Sequence, residues 1–468
     1  MTGSGGQPGV AARTAALRAL GRIRRDAAWS QPAVRAVLDR AGLPAEDRAL
    51  AAALTYETLR WEGTLDWALA QVSSRPLGKV EPVVADALRL GAWQLLYGRQ
   101  PDRAAVSTTV AAAGQVAGKR VTGFVNGVLR GLARARDHLP WPDPATDEGL
   151  GLRLGYPAWI VAAARERFAA RAEAVLAAGN AAPGVMLRAT GGPEAREALL
   201  AELRAAGLQP EPAPYAAASV HLGSSIDPDG LACVREGRAV VQDEASTLVG
   251  AAAGAAATGA AAAEPAAMRA VDACAAPGGK AGHLAEQGLE VLAADRHAGR
   301  TRALAAALVG RAGSAPLRAV VADGRALPLP DASADLVLVD APCTGLGVVR
   351  RRPELRWRVD PQDPEALAGL QRALVAEAAR VVAPGGVVCY SVCTWTVAET
   401  VAVVRGVAAA ATPPESALTP VSVDVAGAGT SLPGDPGVQL APDQDGTDGM
   451  YLHCWRRDGG TSGPAGTA

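Results

Sequence analysis

The run Val-Leu-Val-Asp-Ala-Pro-Cys-Thr-Gly-Leu-Gly, residues 337–347, ends an apolar stretch on Asp340 and places Cys343 three residues later. A second apolar run reaches Cys393 in Cys-Tyr-Ser-Val-Cys-Thr-Trp-Thr, residues 389–396. Short apolar runs bounded by turn residues are typical of buried strands in a parallel sheet. Because such strands end at one shared edge, the sequence predicts that Asp340, Cys343 and Cys393 lie near one another.

The region beyond residue 268 alternates strand-like and helix-compatible stretches. The strand-like runs lie at 269–272, 290–294, 318–322, 335–339 and 386–392, and the helix-compatible stretches at 279–287, 298–310 and 364–382. This alternation predicts a mostly parallel α/β sheet covered by helices on both faces. Residues 438–440 and 449–455 are predicted to add a C-terminal antiparallel hairpin at one edge.

Two different regions precede this α/β domain, which we place at 240–457. Residues 11–144 read as an all-α domain, with helix breaks at Gly42-Leu-Pro, Arg75-Pro-Leu-Gly and Gly98-Arg-Gln-Pro. Residues 150–239 mix helical stretches with short extended pieces, which predicts a small α+β linking domain. The alanine-rich segment 250–267 is expected to form a helix end and a disordered insertion, and residues 1–10 and 458–468 are expected to be disordered.

The composition excludes several classes of protein. No apolar run reaches the roughly 18 to 20 residues that span a bilayer, and the N-terminus lacks the features of a signal peptide, so we expect a cytoplasmic monomer with no membrane partner. A disulfide framework is typical of small exported domains, so the six cysteines are expected to be reduced. Their spacing relative to the five histidines gives no zinc pattern, so we predict no metal site.

Charge is spread unevenly along a chain whose net charge is only −1. Residues 1–140 carry 19 Arg and Lys against 11 Asp and Glu, a balance of +8 that leaves −9 for the rest. A basic N-terminal third favours an anionic partner such as nucleic acid. Arginine-rich helix faces that are merely solvated remain the alternative.

The first strand of the α/β domain runs into Val271-Asp-Ala-Cys-Ala-Ala-Pro-Gly-Gly-Lys280. Glycines after a first strand let the backbone approach a ligand, and a following helix N-terminus favours negative charge. Asp295 and Asp323 end the next two strands, where an acid can hold ribose hydroxyls. Because no G-x-G-x-x-G run is present, we predict a nucleoside-containing ligand other than a dinucleotide, and S-adenosylmethionine fits.

Two thiols and a carboxylate facing a methyl donor suit methylation of a pyrimidine. Pyrimidine C5 is a poor nucleophile until a thiolate adds at C6. We therefore interpret Cys343 and Cys393 as chemical groups, and Cys233, Cys389 and Cys454 as small buried side chains.

Together, Cys-Ala-Ala-Pro-Gly-Gly-Lys, Asp-Ala-Pro-Cys-Thr-Gly and Tyr-Ser-Val-Cys-Thr resemble the RNA cytosine-C5 methyltransferases of the RsmB/NOP type. The helical half resembles the domain shared with the antitermination factor NusB, through Asp47-Arg-Ala-Leu, Tyr56-Glu-Thr-Leu-Arg and Gly123-Phe-Val-Asn-Gly-Val-Leu-Arg. The combination resembles the RsmB (Sun) family over nearly the whole chain. Glu399-Thr400 stands where the family usually has Glu-Asn.

The resemblance implies a NusB-like RNA-binding domain, a linking domain and a Rossmann-like methyltransferase domain that methylates cytosine C5 in small-subunit (16S) ribosomal RNA. It implies that Cys393 is the nucleophile, that Cys343 assists product release and that Asp340 contacts the base. It also implies a set of S-adenosylmethionine ligands: Cys274, Ala275, Ala276, Pro277, Gly278, Gly279, Lys280, Asp295, Asp323 and Asp340.

A basic segment follows the Asp340 loop and interleaves arginines with a tryptophan. Arginine pairs with phosphate and a planar ring stacks on a splayed base, so RNA contacts are predicted for Arg350, Arg351, Arg352, Arg356, Trp357 and Arg358. A solvated arginine-rich loop is the alternative.

Other functions remain open at this point. One is an RNA-binding assembly factor that has lost catalysis, although the intact set of Asp340, Cys343 and Cys393 argues against it. Others are a one-cysteine transfer RNA methyltransferase and a thiol hydrolase, which would need a partner histidine.

Overall fold

The computed structural model describes residues 9–223, 226–259, 265–308, 316–410 and 417–459. The chain divides into two compact units. The first, here called the helical unit, joins the residues up to Arg165 with Arg351–Val359. The second, here called the sheet unit, contains Glu166–Arg350 and the residues from Asp360 onward. Most of the two segments expected to be disordered, 1–10 and 458–468, lies outside the described residues.

The helical unit confirms the predicted all-α region. The predicted breaks fall between consecutive helices: Gly42 follows α2 in a left-handed conformation (φ 59°) that glycine adopts without strain, and α5 begins at Pro82, where a missing N–H costs nothing. The helices are α1 (Val10–Arg25), α2 (Ser30–Ala41), α3 (Ala45–Arg60), α4 (Glu62–Ala70), α5 (Pro82–Leu96), α6 (Asp102–Ala117), α7 (Thr122–Ala135), α8 (Asp147–Leu154) and α9 (Ala158–Phe168), which ends in the sheet unit.

The apolar faces of these helices form one core. Leu17 and Leu20 of α1, Leu88 of α5 and Leu129 of α7 are fully buried. Leu129 reaches the backbone of α5 because Gly91 has no side chain, and a Cβ there would lie 2.5 Å from the leucine methyl group. Each of these helices therefore buries one apolar face in the core.

The sheet unit begins with the small α+β part. Its elements are α10 (Ala172–Ala178), β1 (Val185–Ala189), α11 (Pro193–Ala205), β2 (Glu211–Pro212), β3 (Ser219–Leu222), α12 (Ala232–Arg235) and β4 (Ala239–Val241). The strands form an antiparallel sheet in the order β2-β3-β1-β4. The α13 helix (Glu244–Thr258), capped by Asp243, follows and contains the first half of the alanine-rich segment, while residues 260–264 lie outside the described residues.

The larger sheet contains the predicted parallel strands and the helices between them. Its elements are β5 (Arg269–Asp272), α14 (Gly279–Glu286), β6 (Glu290–Asp295), α15 (Ala298–Leu308), β7 (Leu317–Val321), β8 (Ala334–Asp340), α16 (Leu355–Arg358, in the helical unit), α17 (Asp363–Val381), β9 (Val382–Val392), α18 (Val401–Ala410), β10 (Leu418–Val421), β11 (Val438–Leu440) and β12 (Met450–Arg457). The strand order is β10-β12-β9-β8-β5-β6-β7, with β11 paired to β12.

One detail of the predicted hairpin is wrong. The β11 and β12 strands pair antiparallel as expected, but β12 lies inside the sheet, between β9 and β10. The β10 strand, Leu-Thr-Pro-Val, gives little strand signal, and its Pro420 is tolerated because β10 is an edge strand. The mostly parallel Rossmann-like class is otherwise confirmed.

The expectation that every cysteine is reduced is also wrong. A disulfide joins Cys389 of β9 to Cys454 of β12. The two residues are directly opposite in the antiparallel register, with a Cα–Cα distance of 4.3 Å. Register between strands so distant in sequence is not visible in residue spacing, which is why the pairing was missed. The other four cysteines in the described part of the chain, Cys233, Cys274, Cys343 and Cys393, are not disulfide-bonded.

No helix in the described part of the chain is long and apolar enough to cross a membrane. Within the same residues, no group of three or more His, Cys, Asp or Glu side chains is arranged to hold a metal ion.

Candidate active site

The carboxyl ends of the central strands bring the predicted polar residues to one edge of the larger sheet. Asp272 ends β5, Asp295 ends β6, Asp340 ends β8 and Cys393 directly follows β9. The strands themselves are nearly all apolar because both faces of the sheet are covered. The first polar side chain after each strand therefore lies at the edge where open α/β sheets bind ligands.

Asp340 is held by two donors from neighbouring elements. Lys280 Nζ donates to Oδ2 at 2.7 Å, and Ser391 Oγ donates to Oδ1 at 2.7 Å. Burial opposes the charge of Lys280, yet the carboxylate of Asp340 outweighs burial and raises the lysine pKa. The ion pair and the serine hydrogen bond therefore fix the orientation of the Asp340 carboxyl group.

The two thiols singled out from the sequence are in contact. Cys343 Sγ and Cys393 Sγ lie 3.3 Å apart, although 50 residues separate them. The hydrogen bond to Cys393, followed by burial and the charges of Cys393 and Glu399, raises the pKa of Cys343 well above its ordinary value. Cys393 is also among the negative groups that raise the pKa of Lys280. The surroundings of Cys343 thus favour its protonated form.

The loop after β5 forms a turn beside these groups. Gly278 has a φ of 106° and precedes α14, a conformation that L side chains rarely adopt. Asp272 Oδ1 accepts a hydrogen bond from the backbone N–H of Cys274 at 3.3 Å. Its other oxygen, Oδ2, is buried without a hydrogen-bond partner among the described residues. Burial, and then the charge of Asp340, raises the pKa of Asp272 to about 7.

Asp272 was not among the predicted site residues, although it lies in the stretch Val271–Lys280 at the end of β5. The signal was present, because Asp272 ends its strand just as Asp295 and Asp340 end theirs. Only the three-dimensional structure shows that its carboxyl group is buried next to the charged pair.

Asp295 and Asp323, both predicted to bind the cofactor, have different environments. The side chain of Asp295 is buried, accepts a hydrogen bond from the backbone of His297 at 2.9 Å and lies 3.3 Å from Arg300. Asp323 lies two residues beyond β7, is exposed and pairs with Arg325 at 2.6 Å. The hydrogen bonds from Arg325 lower the pKa of Asp323 to about 2. The structure therefore brings Asp295 to the site, whereas Asp323 is engaged by a neighbour on its own turn.

The basic segment departs most from the sequence-based prediction. Arg350 is buried, forms an ion pair with Asp448 and donates to Asp243 at 3.2 Å. Arg356 is fully buried in the helical unit, where its guanidinium lies 3.8 Å from the ring centroid of Tyr156. A buried guanidinium with protein partners has no face left for phosphate. The structure therefore places Arg350 and Arg356, for which the sequence predicted RNA contacts, among protein groups.

Trp357 and Arg358 also have protein partners. Trp357 Nε1 donates to Leu59 O at 2.6 Å, and a Cβ on Gly63 would lie 2.5 Å from the indole ring. Arg358 donates to Ala28 O at 2.7 Å. Arg352, by contrast, is exposed, and its guanidinium lies 5.2 Å from the ring of Trp29, which is 47% exposed. Arg351 is half-buried.

Comparison with family models matches three parts of the chain. Residues 262–455 match the model described as 16S rRNA methyltransferase RsmB/F. Residues 10–134 match the NusB family, and residues 156–228 match a ferredoxin-like domain of RsmF/B-like methyltransferases.

Comparison with curated proteins gives relatives that cover most of the chain. A putative methyltransferase of Mycobacterium tuberculosis is 38% identical over 95% of this chain and 96% of its own length. The probable ribosomal RNA small subunit methyltransferase B of Bacillus subtilis is 32% identical over 82% of this chain and 84% of its own. The ribosomal RNA small subunit methyltransferase B of Pseudomonas putida is 32% identical over 84% and 88%.

Solved structures share the fold. The crystal structure of PH0851 superimposes with a TM-score of 0.78 at 23% identity and covers 97% of this chain and 99% of its own. The structure of NSun6 from Pyrococcus horikoshii with SFG has a TM-score of 0.55 at 19% identity, over 64% of this chain and 98% of its own.

Proposed function

The chain belongs to the RsmB/F family of 16S rRNA methyltransferases, and from that premise we propose that it methylates C5 of a cytosine in small-subunit ribosomal RNA. The proposal includes a covalent bond between Cys393 and C6 of the base. The observation that carries it is the pair of thiols 3.3 Å apart at the sheet edge that also bears the Lys280–Asp340 ion pair. A methyltransferase acting on a nucleophilic nitrogen or hydroxyl would need neither thiol.

The residues at this edge fit S-adenosylmethionine as the cofactor. The partnerless Oδ2 of Asp272 suits a cationic ligand, the positive φ of Gly278 lets the backbone approach it, and Asp295 suits ribose hydroxyls. When bound, S-adenosylmethionine supplies an electrophilic methyl group. The residues that would hold it are those of the loop from Cys274 to Lys280, with Asp295.

The thiolate of Cys393 attacks C6 of the cytosine, and the C5–C6 double bond shifts electron density towards C5 and N3. Lys280 offsets this negative charge, while the Asp340 carboxyl group accepts a hydrogen bond from the exocyclic amine. The base must leave its stack to reach the edge, which an unpaired site makes less costly.

Release reverses the attack. Once C5 carries the new methyl group, its proton passes to water, the C6–S bond breaks and the double bond re-forms. Cys393 leaves as a thiolate, and the S–H of Cys343 donates a hydrogen bond to it at the observed contact. Cys343 thereby stabilises the departing sulfur without forming a bond to the base.

A cleft of about 380 Å³ between α1, α2 and α5 is the surface of the helical unit that suits RNA binding. Arg18, Arg25 and Arg40 line the cleft, are exposed and form no ion pair with any described residue. Apolar side chains such as Leu17 and Val83 also line it. Arginines that are not neutralised by carboxylates are available to phosphates, and Arg352 beside exposed Trp29 offers a further place for a base to stack.

The experiment is methylation of unmodified small-subunit ribosomal RNA with labelled S-adenosylmethionine, followed by mapping of the modified nucleotide. We expect 5-methylcytosine at a defined position and none with Cys393→Ala. A label on a ribose or an exocyclic nitrogen would overturn C5 chemistry, although the family would stand. The absence of any methyl transfer, with RNA binding intact, would favour an assembly factor without catalysis.

A further inference from the structure

A buried carboxylate lies against both thiol loops and has no role in the chemistry above. Glu399 is fully buried, and its two carboxylate oxygens are surrounded by hydrogen-bond donors. Oε1 accepts from the backbone N–H of Thr344 at 2.8 Å and from Gln371 Nε2 at 3.2 Å. Oε2 accepts from Thr344 Oγ1 at 2.6 Å and from Thr396 Oγ1 at 2.8 Å.

These contacts tie together two loops that are 50 residues apart in sequence. Thr344 directly follows Cys343, while Thr394 directly follows Cys393 and lies 3.4 Å from Glu399 Oε2. The hydroxyl groups of Thr344 and Thr394 also contact each other at 2.8 Å. The Glu399 carboxylate therefore holds the two loops together, and with them the sulfur atoms that lie 3.3 Å apart.

A second layer holds Glu399 itself. Gln371 Nε2 donates to Pro342 O at 3.0 Å as well as to Glu399, so it also fixes the loop that carries Cys343. Tyr390 Oη donates to the backbone oxygen of Glu399 at 2.6 Å and to Gln371 Oε1 at 2.9 Å. A buried polar network in which each member has a partner specifies one geometry.

Burial raises the pKa of Glu399, and the hydrogen bonds from Thr344, Thr396 and Gln371 oppose this by stabilising its negative charge. Every donor to Glu399 is a neutral group, and no arginine or lysine in the described chain forms an ion pair with it. Oε1 must accept, because the backbone N–H and the amide NH₂ can only donate. The carboxylate contacts Thr344, next to Cys343, at 2.6 and 2.8 Å but Thr394, next to Cys393, only at 3.4 Å, and its charge is among the causes that raise the pKa of Cys343.

We propose that Glu399 is a positioning residue that fixes the contact between the two thiols and, by its negative charge, keeps their shared proton on Cys343. Cys393 then carries the single negative charge of the pair and is the nucleophile. This inference rests on the proposed thiol chemistry and explains why one of two adjacent cysteines attacks. No bond to substrate is made by Glu399.

The other charged groups around the pair are consistent with this assignment. Lys280, paired with Asp340, acts on Cys393, which favours a thiolate there. Burial is the main cause that raises the pKa of Tyr390, and the charge of Glu399 adds to it, so the phenol stays neutral.

The test is the pH dependence of alkylation of each thiol in the full-length protein, without RNA or cofactor. Iodoacetamide is applied between about pH 6 and pH 10, around the ordinary thiol pKa of about 8.5, and each cysteine is read by mass spectrometry. In the unchanged protein we expect Cys393 to react at a lower pH than Cys343. In Glu399→Gln, which has nearly the same shape but no charge, the midpoint for Cys343 should fall by about one pH unit.

Thr396→Val is the matched control. It removes one donor from the same carboxylate but leaves the charge in place. We expect it to lower the melting temperature while leaving the Cys343 midpoint unchanged. If Thr396→Val moves the midpoint as far as Glu399→Gln does, loosened packing and not charge is responsible, and the proposal fails. Unchanged midpoints in a folded Glu399→Gln protein would also overturn it.

A second variant decides the matter if Glu399→Gln does not fold. In Cys393→Ala the neighbouring sulfur is absent, so Glu399 remains as the charge acting on Cys343. Because burial also raises the Cys343 midpoint, this variant is compared with Cys393→Ala combined with Glu399→Asp, in which the carboxylate is attached one methylene further from Thr344. A lower Cys343 midpoint in the double variant supports the proposal, and equal midpoints refute it. Because these readouts require no methyl transfer, they can fail while cytosine C5 methylation is demonstrated, and the reverse also holds.

Discussion

Two regions that are close in sequence differ in what their side chains do. One is the sheet edge with Asp340, Cys343 and Cys393, and the other is the basic segment from Arg350 to Arg358. At the edge, the polar groups chosen from the sequence lie together, with Lys280 on Asp340 and one thiol against the other. In the basic segment, most of the side chains chosen for RNA contact are engaged by protein. Arg356, the most buried of them, is packed on Tyr156.

The difference teaches that position at a strand end is stronger evidence than residue type. A polar residue that ends a buried strand is brought to the ligand edge by the sheet itself. An arginine in a loop is equally suited to phosphate, to a backbone carbonyl or to an aromatic ring. Its partner is therefore decided by whatever packs against the loop.

The largest expected effect separates the two thiols at the edge. Cys393→Ala should abolish methyl transfer and leave no covalent RNA adduct, because no thiolate remains to attack C6. Cys343→Ala should still attack and methylate but release product slowly, so that an adduct survives denaturing electrophoresis. An adduct in Cys393→Ala instead would reverse the two roles. Normal turnover in both variants would make both thiols packing residues.

The next effect tests the basic segment. Arg356→Ala should destabilise the protein by about 2 to 4 kcal/mol, because it removes a fully buried side chain packed on Tyr156. Exposed Arg352→Ala, the matched control, should change stability by less than about 0.5 kcal/mol. Urea unfolding measures both. If Arg356→Ala leaves stability unchanged but weakens RNA binding, the arginine contacts RNA. The difference drawn here between the sheet edge and the basic segment would then be wrong.

A smaller effect distinguishes two strand-end acids. Asp295→Ala should weaken S-adenosylmethionine binding by roughly 1.5 to 3 kcal/mol, the scale of a hydrogen bond to a charged group. Asp323→Ala should cost much less, since Arg325 already occupies that carboxylate. Titration calorimetry of both variants makes the comparison. Equal losses would show that Asp323 exchanges its partner on binding, and no loss in either would remove both from the site.

The smallest effect concerns arginines that the sequence did not single out. Replacing Arg18 and Arg40 with glutamine should reduce the slope of log affinity for RNA against log salt by about 1 to 2, close to one ion per lost phosphate contact. The control with the same charge change is Arg48→Gln with Arg136→Gln, because both arginines are paired, with Asp39 and Asp102. Fluorescence anisotropy at several salt concentrations gives the slopes. Equal slopes for both double variants would mean that net charge, and not the cleft, governs RNA binding.

The sequence by itself determined the strands, the helices between them and the polar residues at the strand ends. Apolar runs, glycine turns and helix breaks are local patterns, and local patterns fix local structure. It also determined the family, because the motifs that carry the resemblance are short and contiguous. The proximity of three of these residues was predictable, because parallel strands end at one shared edge of the sheet. They are Asp340, Cys343 and Cys393.

Only the tertiary structure decided which partners these groups have. Lys280 reaches Asp340 across 60 residues, Glu399 reaches Thr344 across 55, and Arg350 reaches Asp448 across 98. The disulfide between Cys389 and Cys454 depends on the register of two strands. Such contacts follow from the packing of distant segments, and the composition of either segment alone does not encode them, because a buried polar side chain takes whichever partner the fold brings within reach.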